Sequence, residues 1–236
     1  MPINDEYIVS LLHMNGANTG TTFTDETGLS WTNSNATTSA TQKVFGYTSG
    51  LFNRASPAYI YTSATADLNF GSGDFTVDFW IYRSTDATLQ RFMGQLDSAA
   101  TASISAWYGY IAADNILHMG ISNGTIFLDA ESSGALTNAT WYHVALARDG
   151  NNLRLFVGGT LQENVDVTGV TVPDSTYEVA IGRMGEFTTD TLNGYVDEFR
   201  ISKGIARWVA NFTPPAAPYL DDKRYPVADI SNYGII

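Results

Sequence analysis

Residues 194–219 read GYVDEFRISKGIARWVANFTPPAAPY, and this stretch decides the fold. After the turn signal Asn193-Gly194, the apolar residues Tyr195, Val196, Phe199 and Ile201 mark a strand. Gly204 interrupts it. Pro214, Pro215 and Pro218 then fix φ and remove backbone donors, so neither a sheet nor a helix continues through them. A domain therefore closes near Tyr219, which divides the chain into residues 1–219 and a tail, 220–236. The only helix candidates are brief, around residues 204–211.

Working outward, the strongest core signal is DFTVDFWIY at residues 74–82. Strand alternation places Phe75, Val77, Phe79 and Ile81 on one face, toward a core, and Thr76, Asp78, Trp80 and Tyr82 on the other. TWYHVALARDGNNLRLFVGGTLQE, at 140–163, reads as a hairpin turning at Asp149-Gly150-Asn151-Asn152. RFMGQL, ASISAWYGYI, ILHMGIS and TIFLDA, between 91 and 130, supply further short strands. The opening YIVSLLHM at 7–14 is apolar on both faces, as expected of a strand in the middle of a sandwich. A short strand and turn follow over 21–28, and two strands flank Asn53 to Pro57. The Ser/Thr/Asn-rich stretch 31–41 reads as a surface loop. About a dozen short strands with close turns predict an all-β, antiparallel jelly-roll sandwich.

Four segments carry a family resemblance: LLHMNG…FTDETG, NFGSGDFTVDFW, the 140–163 hairpin and the closing 194–219 stretch. In this order they resemble laminin-G-like domains of the concanavalin A-like lectin/glucanase superfamily, of the kind found in bacteriophage structural proteins. The chain departs from the pattern at Asn15, Asp78 and Gly158-Gly159. The resemblance implies a jelly roll that binds glycans or protein surfaces. It also implies one structural calcium where the first and last strands meet, with Asn15, Asp25 and Asp197 at the matching positions.

Composition narrows the function classes. Among 236 residues, 44% are hydrophobic and 13% aromatic, enough to fill a large core. The formal net charge of −12 repels phosphate backbones and anionic membranes, which argues against both as partners. With no cysteine, disulfides, thiol nucleophiles and cysteine zinc sites are excluded. No apolar run approaches the roughly 20 residues needed to span a bilayer. Residues 1–6, MPINDE, lack the basic and apolar regions of a secretory signal, so the expectation is a chain with no export address.

An enzyme reading finds little to stand on. Glycosidases of this fold carry clustered carboxylates on one strand, and no Glu-x-Asp-x-Glu run exists here. His13, His118 and His143 lie inside strand patterns with no serine elbow beside them and read as structural. A sugar site needs aromatic faces beside planar polar groups; Trp107, Tyr108 and Tyr110 of SAWYGY, with Trp31, are the candidates. The tail carries Tyr225, Val227, Ile230, Tyr233, Ile235 and Ile236, which suit it to docking on a neighbouring subunit. The expectation is a non-catalytic virion surface protein of a bacteriophage, either a capsid decoration or a tail-fibre adhesin. Its partners would be other virion proteins, a host-surface glycan and its own copies, a trimer being the expected oligomer. A bacterial extracellular carbohydrate-binding lectin is the alternative.

Overall fold

The computed structural model describes residues 5–84 and 88–220. In chain order come β1 (Ile8–Leu12), β2 (Thr32–Ser34), β3 (Thr37–Ser39), β4 (Ser49–Phe52) and β5 (Tyr59–Thr62). Next are β6 (Phe75–Arg83), β7 (Gln90–Gln95), β8 (Trp107–Ile111), β9 (Leu117–Ser122) and β10 (Phe127–Glu131). The last are β11 (Trp141–Asp149), β12 (Asn152–Val157), β13 (Thr160–Asp166), β14 (Val179–Ile181) and β15 (Gly194–Lys203). Sheet A runs β13-β12-β11-β6-β15-β4-β3, with β1 also paired to β15, and sheet B runs β10-β9-β8-β7-β14-β5-β2. The two antiparallel sheets enclose one core, the jelly-roll sandwich that the strand pattern predicts.

The alternation in 74–82 places the residues as expected. Phe75, Val77, Phe79 and Ile81 are buried between the sheets. Phe70 stacks on Phe75 with centroids 4.1 Å apart, and Phe79 packs between Phe92 and Phe199 at 5.6 and 5.4 Å. Aromatic contacts of this kind link the sheets through the centre of the core.

Three local expectations are corrected. The 31–41 stretch is not a loop but supplies β2 and β3, which lie at the edges of opposite sheets. Asn33 makes the crossing possible: its side chain bonds both the N–H and the carbonyl of Ala36, leaving Asn35 at φ +60°. Residues 21–25 form no strand, because Asp25 gathers donors from Ser10, Leu11, Thr27 and Trp31 into a turn instead. Residues 204–211 are not helical. They begin a strap, 204–219, that crosses the outer face of sheet A. Trp208 and Phe212 stack 4.1 Å apart against Ala145, Ala147 and Phe156, with the two small alanines making the room. Gly159 lets the strap approach, since a Cβ there would lie 2.0 Å from the Phe212 carbonyl.

Beneath the strap lies a buried charge cluster. Asp78 of β6 takes both guanidinium arms of Arg200 of β15, each at 3.0 Å. Tyr219 donates its hydroxyl to Asp78, and its ring lies 3.8 Å from the Arg200 guanidinium carbon. His143 is 3.1 Å from that hydroxyl. The backbone N–H of Tyr219 donates to Glu198, which also bonds His13. Burial alone would raise the Asp78 pKa, but Arg200 and His143 hold it well below the usual carboxylate range. A depressed folded pKa contributes stability above the unfolded value, lost as pH falls toward the folded one. Asp78→Ala should therefore cost about 3–5 kcal/mol at pH 7 in denaturant unfolding, because it leaves Arg200 buried and unpaired. The difference between wild type and variant should shrink in acid, below roughly pH 4. A cost under about 1 kcal/mol would show that the pair is not structural.

Candidate functional site

The site lies on the outer face of sheet B, across β7, β8, β9 and β10. Alternation along β8 sends Trp107 and Ile111 inward and Tyr108 and Tyr110 outward. Register then aligns Gly94, Tyr108, Gly120 and Asp129 in one row across the four strands. The next row holds Arg91, Tyr110, His118 and Glu131. The two glycines create the concavity. A Cβ at Gly120 would sit 2.6 Å from the Tyr108 hydroxyl, and one at Gly94 would sit 2.7 Å from Leu96 and 3.1 Å from Met184. The resulting pocket has a volume of about 360 Å³ and is walled by Leu96, Met184, Phe127, Tyr108, Tyr110 and Asp129.

Hydrogen bonds fix its polar corner. The Tyr108 hydroxyl donates to Asp129 Oδ1 at 3.0 Å, and His118 Nδ1 lies 2.6 Å from Oδ2. The His118 ring stacks on Tyr110 at 4.6 Å and 7°, while Phe127 meets Tyr108 edge-on at 5.1 Å. The hydrogen bond to Asp129 raises the His118 pKa against burial. Burial, then the charge of Asp129, raises Tyr110 to about 12, so its hydroxyl keeps its proton. Both oxygens of Asp129 are thus engaged. At the rim Arg91 bonds Asp190 at 2.6 Å and lies over Phe187 at 4.3 Å. The arrangement offers aromatic faces, alkyl walls and one oriented carboxylate, the chemistry of holding a ligand.

Of the four residues expected to form a sugar platform, two line this pocket. Tyr108 and Tyr110 do; Trp107 does not, because its ring is fully buried in the core beside Phe70. Trp31 lies elsewhere, packed edge-on against Phe199 with its N–H on Asp25. Sequence reasoning missed His118, Phe127 and Asp129. The signal was present: the Asn123-Gly124 turn between ILHMGIS and TIFLDA pairs those strands, and alternation then puts all three on the face of Tyr108.

Each of the three expected calcium ligands has hydrogen-bond donors of its own. Asp25 accepts from Ser10 Oγ, Leu11 N, Thr27 and Trp31 Nε1. Asn15 Oδ1 accepts from the N–H groups of Tyr47 and Thr48. Asp197 Oδ2 accepts from those of Val44 and Phe45. The bonded oxygens named here face hydrogen-bond donors, which a cation would have to displace. Among the described residues no three His, Asp or Glu side chains come together as a metal-ligand group.

Asp197 does retain a buried oxygen, Oδ1, without a hydrogen bond of good geometry. Burial raises its pKa from 3.8 to about 7. Folding thus favours the protonated form, and stability falls as pH rises between those values, by on the order of 4 kcal/mol in full. Asp197→Asn keeps an oxygen for Val44 and Phe45 and removes the charge. It should be more stable than wild type at pH 8 by on the order of 2–4 kcal/mol, with a flatter pH profile. Chelator should leave the melting temperature unchanged. A melt that drops with chelator and recovers with calcium would overturn this account.

The comparisons with known proteins agree with the architecture. The family model described as the concanavalin A-like lectin/glucanases superfamily matches residues 54–206. Among solved structures, the binding domain of Paraclostridial Mosquitocidal Protein 1 superposes with TM-score 0.66 at 14% identity, covering 85% of this chain and 50% of that one. Domain 4 of AbnA, an extracellular arabinanase from Geobacillus stearothermophilus solved with arabinotriose, gives TM-score 0.62 at 13% identity over 84% and 93%. The binding domain of botulinum neurotoxin serotype G gives 0.61 at 12%, over 84% and 48%. The chain spans about half the length of the toxin binding domains it matches. No curated protein matches it by sequence. The matched segment covers most of the chain, from the turn before β5 to the start of the strap, and on that evidence the chain belongs to the concanavalin A-like lectin/glucanases superfamily.

Proposed function

We propose that the chain is a non-catalytic binding module that recognises a surface glycan through the pocket on the outer face of sheet B. The observation that carries this reading is the polar-aromatic corner formed by Tyr108, Tyr110, His118 and Asp129. Sugars present apolar C–H faces that stack on aromatic rings and hydroxyls that bond planar polar groups. The similar structures, a domain solved with arabinotriose and toxin binding domains, support the same class. On a glycan array, and on polysaccharide extracted from bacterial surfaces, wild type should bind and Tyr110→Ala should lose at least tenfold in affinity. Uniform silence of wild type, or undiminished binding by a folded Tyr110→Ala, would overturn the proposal.

The module's place, in this reading, is the outside of a bacteriophage particle. Support comes from the resemblance of NFGSGDFTVDFW and the closing 194–219 motif to the phage-associated branch of the family. The tail proposed to join copies into a trimer falls outside the described residues except for Leu220. Mass spectrometry of purified particles should find the chain in multiple copies per virion. Deletion of residues 221–236 should leave the sandwich folded and abolish oligomerisation. Recovery of the native protein only as a free cellular monomer would refute the virion assignment.

A further inference from the structure

With the imidazole of His118 neutral, the charge around the sheet B pocket is one-sided. Among the described residues, Asp129 is the only charged side chain in its lining. Glu131 on β10 and Asp114 in the β8–β9 turn add negative charge near Tyr110 and His118. The one basic group of the neighbouring row, Arg91 on β7, is turned to Asp190 and Phe187. His118 on β9 is a further titratable neighbour, and its Nδ1 is committed to Asp129.

The rest of the wall is π-face and alkyl: Tyr108, Tyr110, Phe127, Leu96 and Met184. A cation whose charge is spread over alkyl groups fits such a wall. Aromatic faces attract it through their quadrupoles, Asp129 supplies the counter-charge, and Leu96 and Met184 pack against its methyl groups. We infer that the moiety seated in this pocket is an organic ammonium, a quaternary ammonium group carried on the recognised surface polymer. The inference rests on the reading of this pocket as the ligand site.

The test uses choline and its neutral isostere 3,3-dimethylbutan-1-ol, titrated into wild type by NMR at alkaline pH to favour the neutral imidazole of His118. Choline should bind saturably and at least tenfold more tightly than the isostere, with shifts centred on Tyr108, Tyr110 and Phe127. Asp129→Asn, checked for folding by circular dichroism, should weaken choline at least tenfold while leaving the isostere unchanged. Equal affinity for the two probes, or no response to choline, would overturn the inference. If a Tyr110-dependent glycan is still bound in that case, the binding-module reading stands and only the cation fails. If no glycan depends on Tyr110 either, the pocket is not the ligand site and both readings fall.

Discussion

One buried ion pair constrains most of sheet A. Asp78 and Arg200 face each other across β6 and β15, the two strands at the middle of that sheet, and both are nearly excluded from solvent. Charges so placed are tolerable only when paired and hydrogen-bonded. The pairing is complete here because the bond is two-pronged and because Tyr219 adds a third donor to Asp78. The strap that delivers Tyr219 is therefore an element of the sheet's electrostatics as well as its cover. Its aromatic residues, stacked over Ala145 and Ala147, exclude water from the pair.

A bulge in β15 makes this arrangement possible. Register shifts between Asp197 and Arg200, and Glu198 sits at φ +49°. The extra residue puts two successive carboxylates on the outer side before Phe199 returns to the core. Asp197 then holds the 44–45 backbone, while Glu198 holds both His13 and the backbone of Tyr219. The same bulge divides the edge of β15 between two partners, β4 beside its first half and β1 beside its second. A left-handed non-glycine residue at this point is unfavourable by itself. The contacts of Glu198 on either side hold it there.

The opposite sheet works by subtraction. Gly94 and Gly120 flank Tyr108 in its row, and removing two side chains from a flat β surface opens a pocket that aromatic neighbours then wall. Since the floor is sheet backbone and the polar corner is internally bonded, the site is held in shape before any ligand arrives. The charge cluster under the strap and this pocket lie on opposite faces of one sandwich, so the stabilising contacts of sheet A do not compete with the pocket of sheet B.

Period-two alternation is a local property, and what depends on it was legible in the sequence. The core faces of β6 and β8, the hairpin at 149–152 and the all-β class all follow from residues next to one another in the chain. The outward direction of Tyr108 and Tyr110, and the inward one of Trp107, follow from the same rule once strand β8 is placed. Pairing is not local. That Asp78 would find Arg200 some 122 positions away depends on register between strands the chain visits far apart. The 31–41 stretch misled because its Ser, Thr and Asn residues carry loop-like propensity, which pairing with β4 and β5 overrides. The prolines of the strap marked an end to regular structure correctly. Only the tertiary structure decided that this end would fold back over sheet A, because the alanines and buried charges that need covering lie on strands distant in sequence.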